Sequence, residues 1–130
     1  NDLCKAVGVR SIVFNEQPLL TAMSNDEGYE RVFEGPIQLW ANSEDILIAV
    51  SSSGKSENIL RAARAGLDKG ARLITLSGFD PDNPLRKMGE LNFHVESGSY
   101  GYVEIVHTAL AHYITDRASA KNKHVRGASS

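Results

Sequence analysis

Four serines, a glycine and a lysine stand together in "SSSGKS" (residues 51–56), directly behind the apolar run "ILIAV". A short unbroken apolar run reads as a strand covered on both faces. The "ENILRAARAGLDKG" that follows is spaced as an amphipathic helix, with Ser56 as its N-cap and Gly70 as its stop. A helix start offers unbonded N–H groups and the positive end of the helix dipole. Gly54 lets the backbone turn tightly and approach a ligand. Hydroxyls can donate to phosphate oxygens without adding charge. The chemistry indicated is therefore phosphate binding. The nucleotide P-loop is excluded, because Ala49 stands where its first glycine belongs, and no dinucleotide fingerprint is present. The phosphate then belongs to a small metabolite. The bland alternative is a serine-rich loop with no ligand.

A second set of reactive side chains lies in "EIVHTALAH": Glu104, His107 and His112. On a helix, Glu104 stands about 60° from His107 and about 80° from His112, so it can share a face with either. From Glu104 to His112 the rise is about 12 Å, so only extended side chains would converge on one ligand. A carboxylate and imidazoles suit metal binding or acid–base work. The bland alternative is one exposed acid and two histidines on a packed helix.

Other residues draw ordinary readings. Cys4 is expected to be a small buried group, Trp40 part of the core and His94 a surface or sheet-face residue. Lys55 faces phosphate or solvent. "GSYGY" (residues 98–102) is a lid or a plain loop, placed after a strand end where it can meet substrate. His124 falls in the polar tail.

These groups need elements to position them. "RSIVFN" (residues 10–15), "DILIAV" (45–50), "ARLITLSG" (71–78) and "LNFHVES" (91–97) read as strands. "PLLTAMSND" (18–26) reads as a short helix. In "GYERVFEGPIQLWAN", Tyr29, Val32, Phe33, Ile37 and Trp40 make one apolar stripe, with a bend or break at Pro36. "YGYVEIVHTALAHYITDRA" closes as a helix. Strands alternating with helices predict an α/β fold, a three-layer sandwich around a central parallel sheet. Ligands of such sheets bind beyond the carboxyl ends of the strands, where the serines stand.

The totals agree. A chain of 130 residues with 42% hydrophobic content suits one domain with a core. A net charge of −2 gives no broad attraction to nucleic acid or anionic lipid. No apolar run reaches the roughly 20 residues of a membrane span, and no signal peptide is visible. A single cysteine fits a reducing, cytoplasmic setting. The chain opens without methionine, as though inside a helix, and "RASAKNKHVRGASS" reads as an irregular tail. The expectation is a domain over 1–117 that lacks its first helices, then a disordered or tag-like tail over 118–130.

"SSSGKSEN" between a strand and a helix resembles the signature of the sugar isomerase (SIS) domain. "LLTAMSNDEGYERVFEGPIQL", "ARLITLSGFDPDNPLRKMGELNFHV" and the closing helix are similar to the phosphoheptose isomerase branch of that superfamily. The likeness covers roughly residues 19–116. It implies a flavodoxin-like fold with a five-stranded parallel sheet, a homotetramer with sites between subunits, and a zinc ion in some members. The implied reaction interconverts sedoheptulose 7-phosphate and D-glycero-D-manno-heptose 7-phosphate. By the resemblance, Ser51, Ser52, Ser53 and Ser56 hold the phosphate, and Asn25 and Asp26 lie near the sugar. His112 matches the catalytic acid or base, and His107 an intervening histidine. Glu104 stands where the family usually has glutamine, a change that bears on metal binding and on the substrate. "NDL" places Asp2 at the position of the other catalytic acid. Glu104, His112 and Asp2 are thus the implied catalytic groups and zinc ligands. The family's upstream histidine and N-terminal glycine-serine phosphate segment fall before Asn1; if the chain truly begins there, activity should fail.

Two further readings use the same domain. One is a non-catalytic phosphosugar-binding regulator, or a relative that binds a replication initiator. The other is elimination chemistry on an amino-sugar phosphate. Retention of both His112 and an acid at 104 favours the isomerase.

Overall fold

Three apolar segments pair as a parallel sheet. Strand β1 (Ile46–Ser51) runs beside β2 (Arg72–Gly78), from Ile46 opposite Arg72 to Ser51 opposite Ser77. Strand β3 (Leu91–Val95) joins the other edge of β2, from Ile74 opposite Leu91 to Gly78 opposite Val95. The computed structural model describes residues 2–127, with side chains through 122. The described residues also form the helices α1 (Gln17–Glu27), α2 (Glu34–Trp40), α3 (Glu57–Asp68), α4 (Pro84–Met88) and α5 (Tyr100–Gly127), with short helical turns at Leu3–Val7 and Tyr29–Arg31. The fold is an α/β sandwich. Phe14–Val103 form one compact unit; the segments up to Val13 and from Glu104 onward form a second.

The core of the larger unit lies between the sheet and α3. Leu60 and Ala63 of α3 pack with Ala49, Leu73 and Leu85. Gly66 allows this helix to lie close, since a Cβ there would come within 2.6 Å of Leu47 Cδ2. On the outer side of α3, Ala62 and Ala65 meet Ile37 of α2, with Phe14 and Phe33 alongside. Gly70 ends the connection from α3 in the left-handed region, φ 80°.

Several sequence expectations are corrected. Residues 10–15 form no strand among the described residues, because their backbone finds no ladder partner; Ile12 and Val13 are largely exposed. Among the described residues the sheet has three strands, against the five that the resemblance implies. Apolarity along β1 does not mean cover on both faces: Ala49 and Ser51 are buried, whereas Ile46, Ile48 and Val50 are exposed. The stripe through Pro36 is split. A 3-10 turn precedes α2, which starts at Glu34, so Pro36 sits in the first turn where its missing N–H has no consequence. Val32 and Ile37 are buried, while Tyr29 and Trp40 stay exposed; Trp40 only leans on Phe14, with centroids 6.5 Å apart. Helix α5 continues to Gly127, so residues 118–127 are helical rather than irregular. Ala118, Ala120 and Lys121 favour helix, and Asn122 donates to the carbonyl of Val7 at 2.8 Å. His124 lies outside the described side chains.

Leu85 is completely buried and joins α4 to the α3–sheet core. Leu85→Ala should lower unfolding free energy by about 2–5 kcal/mol in urea denaturation, whereas the exposed Leu39→Ala should change it by less than about 1 kcal/mol.

Candidate anion-binding site

The loop after β1 is closed by its own serines. Ser51, buried at the strand end, has its Oγ 2.9 Å from Ser56 Oγ. The Gly54 N–H donates to the Ser51 carbonyl at 3.0 Å, which makes residues 51–54 a tight turn. Ser53 Oγ accepts from the Lys55 N–H at 3.2 Å. Ser56 is the N-cap of α3, as expected, but its hydroxyl makes no capping bond. The backbone N–H groups of Ser53, Ser56, Glu57 and Asn58 make no hydrogen bond to another described residue. Loop hydroxyls and open amides thus gather at the positive end of a twelve-residue helix. That arrangement suits an oxyanion.

Asn83 holds this loop in place. It is fully buried. Its Oδ1 accepts from the Arg86 N–H at 2.9 Å and so caps α4. Its Nδ2 donates to Ser77 Oγ at 3.1 Å and to the carbonyl of Asp80 at 2.8 Å. Gly54 lies against it with φ 66°, and a Cβ at Gly54 would be 2.8 Å from the Asn83 Cβ and closer still to its amide. The Gly54 carbonyl accepts from the Leu85 N–H at 3.1 Å, and the Ser52 carbonyl from the Gly78 N–H at 2.8 Å. Sequence reasoning missed Asn83. Its signal was available, since "NPL" is an N-cap followed by proline at the first helical position.

Lys55 reaches Asp80, with Nζ 3.6 Å from Oδ2. The Asp80 carboxyl is held below its ordinary value of 3.8, first by the Asp82 N–H and then by the charge of Lys55. Asn25 and Asp26 end α1, both exposed, and bond each other at 2.8 Å. No described contact joins them to the serine loop. His94 is half-buried in register with Ser77.

In the terminal unit, Asp2 Oδ2 lies 3.9 Å from His112 Nδ1, and both side chains are mostly exposed. Glu104 is exposed and His107 buried on the same helix. Cys4 is exposed rather than buried, with Sγ donating to the Ser11 carbonyl at 3.2 Å. Zinc takes three protein ligands or more. Among the described residues no three of His, Cys, Asp and Glu lie close enough to hold a metal ion, so these residues do not fit a zinc centre. No described helix is long and apolar enough to cross a membrane.

Comparison with known proteins adds the family. Residues 3–78 match the model of the SIS domain. The chain belongs to the SIS domain family. Phosphoheptose isomerase of Helicobacter pylori (strain P12) is 33% identical over 97 residues, which are 75% of this chain and 50% of that protein. That of Aliarcobacter butzleri is 34% identical over 95 residues, 73% of this chain and 50% of the relative. The chain therefore spans about half the length of the curated relatives it matches. In three dimensions it follows phosphoheptose isomerase of Neisseria gonorrhoeae with a TM-score of 0.82 at 22% identity, over 92% of this chain and 67% of the other. The enzyme of Francisella tularensis gives 0.80 at 23%, over 92% and 68%. The fold is thus shared with these solved structures.

Gly54→Ala must strain φ and push Asn83, and should destabilise the SIS domain by about 2 kcal/mol or more, read by urea unfolding. Asp80 gives a pH test. A carboxyl whose folded pKa is lowered stabilises the fold above its ordinary value, and that contribution is lost as pH falls through the folded value. Asp80→Asn should therefore flatten the fall in stability below about pH 4, with little change near neutrality.

Proposed function

We propose that this SIS domain carries out aldose–ketose isomerisation of a sugar phosphate, most specifically sedoheptulose 7-phosphate to D-glycero-D-manno-heptose 7-phosphate. The observation that carries the reading is the serine loop, whose open amides and hydroxyls suit a phosphate monoester. Relatives named phosphoheptose isomerase support the reaction. In this reading Ser51, Ser52, Ser53 and Ser56 hold the phosphate, and Asn25 and Asp26 serve the sugar. A base removes the proton beside the carbonyl, giving an enediol, and the proton returns to the neighbouring carbon. His112 is the acid or base. Asp2, 3.9 Å from it, orients the imidazole. Glu104 is the second carboxylate. No step runs through zinc, since Asp2, Glu104 and His112 do not assemble a ligand set. The same reading carries a cytoplasmic homotetramer, on family likeness.

Incubation of the protein together with the upstream segment that carries the rest of the family's site should convert sedoheptulose 7-phosphate to the aldose by NMR, and His112→Gln there should lower turnover by about 100-fold or more with binding retained. Ser53→Ala should weaken phosphosugar binding by about 1 kcal/mol or more by calorimetry. Binding without turnover would select the regulatory reading. No binding of the phosphosugar contradicts the proposal.

A further inference from the structure

The turn after β2 contains the one non-glycine residue with positive φ among the described residues, Phe79, at φ 61°. A bulky side chain is a poor occupant of the left-handed region, and such strained positions gather at ligand sites. What holds Phe79 there ties it to the serine loop on both sides. Before it, the Gly78 N–H donates to the Ser52 carbonyl at 2.8 Å. After it, Asp80 pairs with Lys55 at 3.6 Å. The Phe79 N–H itself donates to the Ser97 carbonyl at 2.9 Å.

The ring is placed as firmly as the backbone. Its centroid lies 4.7 Å from that of Tyr100, the first residue of α5, at an interplanar angle of 56°. The turn carrying Tyr100 is seated on the sheet by Val103, which is fully buried. Gly78 makes room for it, since a Cβ there would be 2.6 Å from Val103 Cγ2. Tyr100 is 59% exposed, so the pair offers aromatic surface to solvent at the carboxyl edge of the sheet. That edge is where ligands of parallel sheets bind.

We infer that the Phe79–Tyr100 pair is the wall against which the carbon chain of the phosphosugar rests, and that it selects a sugar phosphate over the bare anion. The inference rests on the phosphate reading of the serine loop. The loop recognises the oxyanion, which inorganic phosphate shares. The aromatic faces recognise C–H surface, which inorganic phosphate lacks.

Calorimetric titration with inorganic phosphate and with sedoheptulose 7-phosphate separates the two roles. Glycine accepts positive φ freely, so Phe79→Gly removes the ring without opposing the turn. It should weaken sedoheptulose 7-phosphate binding about tenfold and leave inorganic phosphate within about twofold. Phe79→Tyr, which keeps an aromatic face, should retain both affinities. If Phe79→Gly leaves phosphosugar affinity unchanged, or lowers both affinities together, the wall assignment is overturned while the phosphate reading stands. If the unaltered protein binds neither compound, the phosphate reading itself fails and takes the wall with it.

Discussion

One buried side-chain amide organises the ligand edge of this fold. Asn83 sits with no exposed surface among the end of β2, the start of α4 and the turn at Gly54. Its oxygen caps α4, and its nitrogen bonds a strand serine and a loop carbonyl. A buried amide left without these partners would carry a penalty of roughly 1–3 kcal/mol. The turn can therefore not drift without unmaking the cap. Gly54 meets this amide so closely that no side chain fits. The position of the serine loop is thus a consequence of packing beneath it.

That support explains how hydroxyls and amides can stay open toward a ligand. Ser51 and Ser56 bond each other across the turn instead of capping α3. The first amides of the helix are left to a ligand or water, and the helix dipole favours an anion there. Neutral hydroxyls complete the set without a fixed cation; Lys55 turns to Asp80. A cradle of dipoles binds a dianion while letting it leave, which suits a turnover enzyme or a sensor alike. In the proposed reading, the chemistry that distinguishes the two is assigned to Asp2, Glu104 and His112.

The legible part of the sequence was where local pattern and structure coincide. The apolar run before Ser51, the amphipathic spacing of residues 57–68 and the stop at Gly70 needed no distant partner. Ser56 was placed correctly, though its hydroxyl turned to Ser51. Misreadings came where a partner decides the outcome. Residues 10–15 have strand composition but no ladder partner among the described residues. β1 is apolar from Ile46 to Val50, yet only one of its faces is covered. Trp40 and Cys4 are apolar by type and exposed in fact. The polar end of α5 is helical because Ala and Lys favour helix and Asn122 is anchored to Val7. Asn83 escaped notice because its value lies in four contacts made at once, and a sequence displays only its N-cap role. Phe79 escaped because a backbone angle leaves no mark on composition.

If the turn at residues 51–56 and the first amides of α3 grip a phosphate monoester, titration with sedoheptulose 7-phosphate must register there in amide NMR. The largest saturating shifts should then fall on the N–H groups of Ser53, Ser56, Glu57 and Asn58. Saturating shifts that leave those four unmoved and collect elsewhere would contradict that grip.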